Sequence, residues 1–94
     1  RRRMKFPLCY EATISRAEFL RTLPAATDDD GLREVDGRFE GRGWSIRLTP
    51  IVPFGVGMVR LERHRVEIEF DGLTPEEQDR FMRRFTLYFQ RGGG

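Results

Sequence analysis

Two hydrophobic spacings recur along this chain, and together they predict a sheet covered by helices. Between Phe6 and Ile14 every second residue is apolar, which is the period of a half-buried strand. Near the other end, apolar residues follow an i, i+1, i+4, i+7, i+8 spacing, which forms a single stripe on a helix. These residues are Phe81, Met82, Phe85, Tyr88 and Phe89.

Two capping boxes predict where the helices begin. In the first, Ser15 is followed three residues later by Glu18, with Ile14 and Phe19 placed as a hydrophobic staple, so a helix should start at Arg16. We expect Pro24 to end this helix, with a polar loop over residues 25–31. In the second, Thr74 caps, Pro75 takes the first helical position and Glu77 closes the box.

The segment between the helices predicts an antiparallel meander. We place its turns at Gly41-Arg42, at residues 52–55 and around Arg63-His64. This register pairs Leu48 with Val59 and Ile46 with Leu61 on the core face, and it keeps the charged residues on the other face of the sheet.

The predicted fold is α+β: a two-layer sandwich of order β-α-β-β-β-β-α, mainly antiparallel, with both helices on one face. We expect strand order 1-5-4-3-2; the alternative sets strand 1 parallel to strand 2 through a right-handed crossover. A long C-terminal helix on such a sheet resembles the topology of helix-grip domains. We expect residues 4–91 to form one domain, preceded by a basic leader at 1–3 and followed by a glycine tail at 92–94.

The stretch from Thr49 to Val59 has no charged residue, although 34% of the chain is charged. It is too short and too proline-interrupted to cross a membrane. The predicted register leaves an apolar cluster outside the core, which is typical of a surface that binds a protein or a second copy of the chain. The cluster comprises Ile51, Phe54, Val56 and Met58. The alternative is a twist or bulge that turns these residues inward.

Charge leaves nucleic-acid binding as an alternative. There are 17 basic and 15 acidic residues, but Arg1–Arg3 account for the excess. The candidate surface is the last helix, with Arg80, Arg83, Arg84 and Arg91. A single cysteine, Cys9, excludes an internal disulfide and predicts a reduced, cytoplasmic setting.

No residue pattern indicates catalysis, a metal or a cofactor. We interpret His64, the single histidine, as a surface turn residue. Ser15 already serves as a helix cap, and Cys9 lies on another strand, so neither forms a catalytic pair with His64. Asp28-Asp29-Asp30 lacks the glycine and glutamate of a calcium loop, so we interpret it as a solvated loop.

The tail Gly92-Gly93-Gly94 resembles the tails of ubiquitin-like and sulfur-carrier proteins, whose terminal glycine carboxylate is activated. Those tails leave a strand of a β-grasp fold, whereas this one leaves a predicted helix, which favours a helix C-cap with a flexible end. The leading prediction is therefore a non-enzymatic interaction module that uses the hairpin around residues 51–58. The further alternative is an apolar ligand held beside Trp44 and the aromatic stripe of the last helix.

Overall fold

The computed structural model describes residues 8–93, with side chains as far as Phe89, and it has the predicted α+β architecture. A five-stranded antiparallel sheet carries two helices on one face. The elements, in chain order, are β1 (Cys9–Ala12), α1 (Arg16–Thr27), β2 (Arg33–Val35), β3 (Arg38–Glu40), β4 (Trp44–Val56), β5 (Val59–Phe70) and α2 (Pro75–Gly93).

The strand order is β1-β5-β4-β3-β2, and every neighbouring pair is antiparallel. The first strand therefore lies beside the last one, as predicted, and not parallel to strand 2. The basic leader at residues 1–3 lies outside the described residues, as do Phe6 and Gly94.

The core lies between the sheet and the helices. Alternate residues of β4 and β5 point into it, so that Ile46 pairs with Ile68 and Leu48 pairs with Val66. Helix α1 contributes Phe19 and Leu23, both fully buried. Leu8, Tyr10 and Ile14 pack against this core from the first segment, as the period-two pattern predicted.

Helix α1 begins at the predicted cap but runs past the predicted end. The Glu18 backbone N–H donates to Ser15 Oγ at 3.1 Å. Pro24 lies inside the helix and does not stop it. The Thr27 hydroxyl donates to the Leu23 carbonyl at 2.9 Å, and the left-handed Asp28 closes the end. Part of the expected polar loop is therefore helix.

Helix α2 begins with a complete capping box. The Thr74 N–H donates to Glu77 Oε1 at 2.8 Å, and the Glu77 N–H donates to Thr74 Oγ1 at 3.1 Å. The predicted apolar stripe faces the sheet, with Met82 and Phe85 each 1% exposed. The helix continues through Gly92 and Gly93, so the predicted C-cap at Gly92 is wrong.

All three predicted turns are wrong, and the errors compensate in the strand count. The first turn lies at Arg42-Gly43 and not at Gly41-Arg42, because Glu40 pairs with Ser45. The expected second strand is split by a turn at Asp36-Gly37, where both residues have positive φ as a type I′ turn requires. The expected turn at Arg63-His64 does not exist, because β5 runs unbroken through both residues.

The hairpin between β4 and β5 turns at Gly57-Met58 and not at residues 52–55. Its register pairs Leu48 with Val66, so the predicted Leu48–Val59 pair is wrong. Val59 is consequently far from the core and 55% exposed. The true turn suits the sequence, since Gly57 adopts φ +60° at the first central position.

Candidate protein-binding arm

The long hairpin extends beyond the rest of the sheet. Strand β3 pairs with β4 only as far as Arg47, and β1 pairs with β5 only as far as His64. Residues 51–61 therefore form a two-stranded ribbon whose strands have only each other as neighbours among the described residues. We refer to residues 51–61 as the hairpin arm.

A bulge in β4 sets which side chains share a face of the arm. Ile51 pairs with Arg63, but the next pair is Phe54 with Leu61, so Val52 and Pro53 together oppose Glu62. The extra residue shifts the alternation of β4 by one position.

After the bulge, four apolar side chains share one face of the arm. Phe54 pairs with Leu61, and Val56 pairs with Val59. Strand β5 is continuous, and its buried residues Val66 and Ile68 face the helices. Val59 and Leu61 are odd-numbered, whereas these buried residues are even-numbered. Successive side chains of a strand point to opposite faces, so this apolar face points away from the helices. We refer to these four residues as the apolar face of the arm.

All four residues of the apolar face are accessible. The exposed fractions are 51% for Phe54, 60% for Val56, 55% for Val59 and 43% for Leu61. Of the sequence-predicted cluster, Met58 lies at the turn and is 97% exposed, while Ile51 is half-buried at the base. The structure thus keeps three of the four predicted residues exposed. It adds Val59 and Leu61, which the wrong register had assigned to the core.

The predicted nucleic-acid surface on α2 is partly engaged within the protein. Arg83 donates to Asp79 at 2.8 Å, and Arg84 Nε donates to the Ala25 carbonyl at 2.6 Å. Arg80 is exposed, while the side chain of Arg91 lies outside the described residues. Nucleic-acid binding stays a prediction. It requires an affinity for DNA or RNA that falls steeply with salt.

His64 is not the surface turn residue that the sequence suggested. It lies within β5, 5% exposed, and its Nδ1 donates to the Ile14 carbonyl at 2.8 Å. Because a carbonyl only accepts, this nitrogen carries the proton. His64 thereby joins the base of the arm to the segment that enters α1. Ser15 caps α1 and Cys9 is exposed on β1.

Within the Asp28–Asp30 stretch, Asp29 connects the loop after α1 to the turn before β4 by hydrogen bonds. Asp29 accepts the backbone N–H of Arg42 at 2.8 Å, that of Gly31 at 3.0 Å and Trp44 Nε1 at 3.3 Å. These donors, with the Arg42 N–H foremost, hold the pKa of Asp29 below its ordinary value. Within residues 8–93, no group of three or more His, Cys, Asp or Glu side chains could hold a metal ion.

The aromatic residues of α2 pack on one another and on the sheet. Phe85 lies between its neighbours in the stripe, with ring centroids 6.0 Å from Phe81 and 4.6 Å from Phe89. Phe81 also contacts Trp44 at 5.7 Å. The rings proposed to hold an apolar ligand therefore fill the layer between helix and sheet with mutual contacts.

The model of the archaeal MoaD-like protein family matches residues 13–94. This chain therefore belongs to the archaeal MoaD-like family. The match contains both helices and the whole hairpin arm, and it begins just after β1. No curated protein matches the chain. None of the described helices is long and apolar enough to span a membrane.

Proposed function

We propose that this protein is a non-enzymatic protein-binding module of a sulfur-carrier system, and that it docks on its partner through the apolar face of the arm. The observation that carries the proposal is the exposure of Phe54, Val56, Val59 and Leu61 on one face of a ribbon that the described part of the chain leaves uncovered.

The energetics of the arm favour a docking role. A two-stranded hairpin is at best marginally stable in water without a third strand or a helix against it. Full burial of a large apolar side chain is worth about 1.5–3 kcal/mol relative to full exposure, so leaving these four about half exposed forgoes roughly half of that for each. A partner that covers the apolar face would recover much of that free energy, and Phe54 is the kind of aromatic anchor on which such interfaces depend.

Family membership supports the sulfur-carrier context. The archaeal MoaD-like description points to small ubiquitin-like proteins of the sulfur-carrier type, which act by binding other proteins. The arm supplies a surface for that binding. The buried, hydrogen-bonded state of His64 supports a structural role for the residue and so favours a non-enzymatic module.

A matched pair of variants tests the docking role. Phe54→Ser combined with Val56→Ser removes half of the apolar face, while Leu87→Ser removes an equally exposed apolar side chain from α2, where Leu87 is 59% exposed. Both proteins should keep the circular dichroism and thermal midpoint of the wild type. In affinity isolation from an extract of the source cells, the double variant should bind the captured protein at least ~10-fold more weakly. The Leu87 variant should bind it normally; equal capture by all three proteins contradicts the proposal.

A second candidate function is sulfur carriage by the glycine tail itself. Family membership and the resemblance of residues 92–94 to carrier tails favour it. Glycine costs about 1 kcal/mol in a helix relative to alanine, so the glycines that end α2 are the part of that helix easiest to unwind. Intact-mass measurement after incubation with ATP, a carrier-activating enzyme and sulfide tests it. Gain of sulfur that is lost on deleting residues 92–94 supports carriage, and an unchanged mass rejects it.

A further inference from the structure

One edge of the arm has backbone groups that no described strand uses. Strand β1 ends at the Ala12–His64 pair, so β5 between Val59 and Arg63 pairs with no strand on that side within residues 8–93. The start of α1 touches this stretch at one point, where the Arg16 backbone N–H donates to Glu62 Oε1 at 3.4 Å, and the Glu62 side chain stays exposed. The Ile68 N–H donates to the Leu8 carbonyl at 2.8 Å, which shows that the even-numbered residues of β5 direct their backbone groups towards β1. Arg60 and Glu62 have the same parity, so their backbone groups point to the open edge.

The two edges of the arm differ in how well they are protected against pairing. The edge formed by β4 contains Pro50 and Pro53, which lack an N–H, and it is interrupted by the bulge. Proline and bulges are two of the devices that prevent a further strand from adding to a sheet, and charged side chains are another unless opposite charges meet across the new pair. Residues 59–63 of β5 have neither proline nor bulge, so this edge is open to strand addition.

We propose that the open edge of β5 pairs antiparallel with the same edge of a second copy of this chain, around a two-fold axis at Leu61. In this register Arg60 faces Glu62 of the second copy, and Glu62 faces Arg60 of the second copy. In both pairs the two even-numbered residues would exchange backbone N–H···O=C hydrogen bonds. Their side chains, of opposite charge, would lie next to each other on the same face of the sheet.

Charge also excludes the neighbouring registers. Backbone parity requires even-numbered residues to face one another across a symmetric edge. A shift in one direction would place Arg60 opposite its own copy, and a shift in the other would place Glu62 opposite its own copy. Like charges directly opposite each other are destabilising, so complementarity selects the register centred on Leu61.

The length of the open edge fits this pairing. His64 is already paired with Ala12, and Gly57-Met58 turns the chain just before Val59. The five residues from Val59 to Arg63 are therefore the whole of the available edge, and the proposed register uses all of them.

The pairing would also join the apolar faces of the two arms. A two-fold axis perpendicular to the sheet keeps both faces on the same side. Leu61 would meet Leu61 of the second copy, and Phe54 would flank each of them, in one row across four strands. This inference rests on the proposed function only in this respect: the dimer enlarges the face on which a partner protein would dock.

A charge exchange tests the dimer. Wild type should sediment at twice the 11.1 kDa mass of the chain. Arg60→Glu and Glu62→Arg should each be monomeric and folded, because each creates two like-charge contacts across the axis. The combined Arg60→Glu/Glu62→Arg variant should restore the dimer. A monomeric wild type, dimeric single variants or a monomeric double variant would each overturn the inference.

A disulfide tests the register. Leu61 lies on the axis as a non-hydrogen-bonded pair, for which Cα atoms are about 4.5 Å apart, a separation that a disulfide spans. In a Cys9→Ser background, Leu61→Cys should form a cross-linked dimer with diamide as oxidant, and Met58→Cys should not. Preferential cross-linking at position 58 would contradict the register. A monomer that still loses its partner when Phe54 and Val56 are replaced would refute the dimer and leave the docking role standing.

Discussion

The base of the β4–β5 hairpin and its arm are built from the same two strands, yet they have opposite surroundings. At the base, Leu48 is 8% exposed and Ile46 is fully buried against the helices. In the arm, Val59 is 55% exposed and Met58 is 97% exposed. Hydrophobicity is similar in the two regions, so burial is decided by what lies beside the strands. The base has β1, β3 and two helices as neighbours, whereas the arm has none of them among the described residues.

The largest contrast should come from the same substitution made in each region. Leu48→Asp places an unpaired charge in the core and should cost at least about 3–5 kcal/mol, enough to unfold a domain of this size. Met58→Asp should change the free energy of unfolding by less than about 0.5 kcal/mol, because the side chain is solvated. Urea denaturation of both variants measures this; comparable losses would mean that the arm is part of the core.

A smaller loss of stability is expected from a substitution at the junction between the base and the arm. His64→Ala removes the donor to the Ile14 carbonyl and opens a cavity beside the first segment. An unsatisfied buried acceptor costs about 1–3 kcal/mol, so the unfolding midpoint in urea should fall accordingly. Hydrogen exchange should accelerate at Ala12 and Ile14. An unchanged midpoint would show that this hydrogen bond does not stabilise the junction.

Acid should lower the stability of the folded domain through Asp29. Its pKa is lowered in the folded protein, foremost by the Arg42 N–H, so its contribution to stability is present above the ordinary aspartate pKa. That contribution is lost as the pH falls through the folded value. Asp29→Asn should reduce stability at neutral pH and flatten its dependence on acid. Thermal melts of both proteins from neutral to acidic pH check the sign; parallel curves would contradict it.

The smallest effect should come from the turn of the arm. Gly57 has φ +60°, and a Cβ there would meet nothing within 4 Å, so Gly57→Ala introduces backbone strain without a clash. We expect a loss of about 1 kcal/mol or less, confined to the arm. Gly57→Asn should lose less, since asparagine tolerates this conformation. A loss in the free energy of global unfolding similar to that of His64→Ala would show that the arm stabilises the rest of the domain.

Sequence signals between neighbouring residues predicted much of the two helices. The Thr74–Glu77 box, the start of α1 and the apolar stripe of α2 all depend on residues close together in sequence, and the structure confirms them. Pro24 misled because a proline removes one backbone N–H but does not by itself end a helix, and α1 continues to Thr27.

The register of the arm could not be obtained from face alternation alone. Several turn positions keep the hydrophobic residues on one face, and they differ in which residues remain at the tip. The informative signals were Asp36-Gly37 and Gly57, since Asp-Gly strongly favours a type I′ turn and a glycine suits the first position of type II′. The bulge at Val52-Pro53 has no local signature beyond the proline, so the shared face of Phe54 and Leu61 required the structure.

Hydrogen exchange of the arm, measured in the free protein and in complex with the protein that wild type captures, tests the docking role most directly. In the free protein, amides of residues 51–58, which lie outside the proposed dimer edge, should exchange much faster than those of Ile46 and Ile68. In the complex they should become protected while the exchange of the base stays unchanged. Equal protection of arm and base in a free monomer, or an arm unchanged by the partner, would contradict the account.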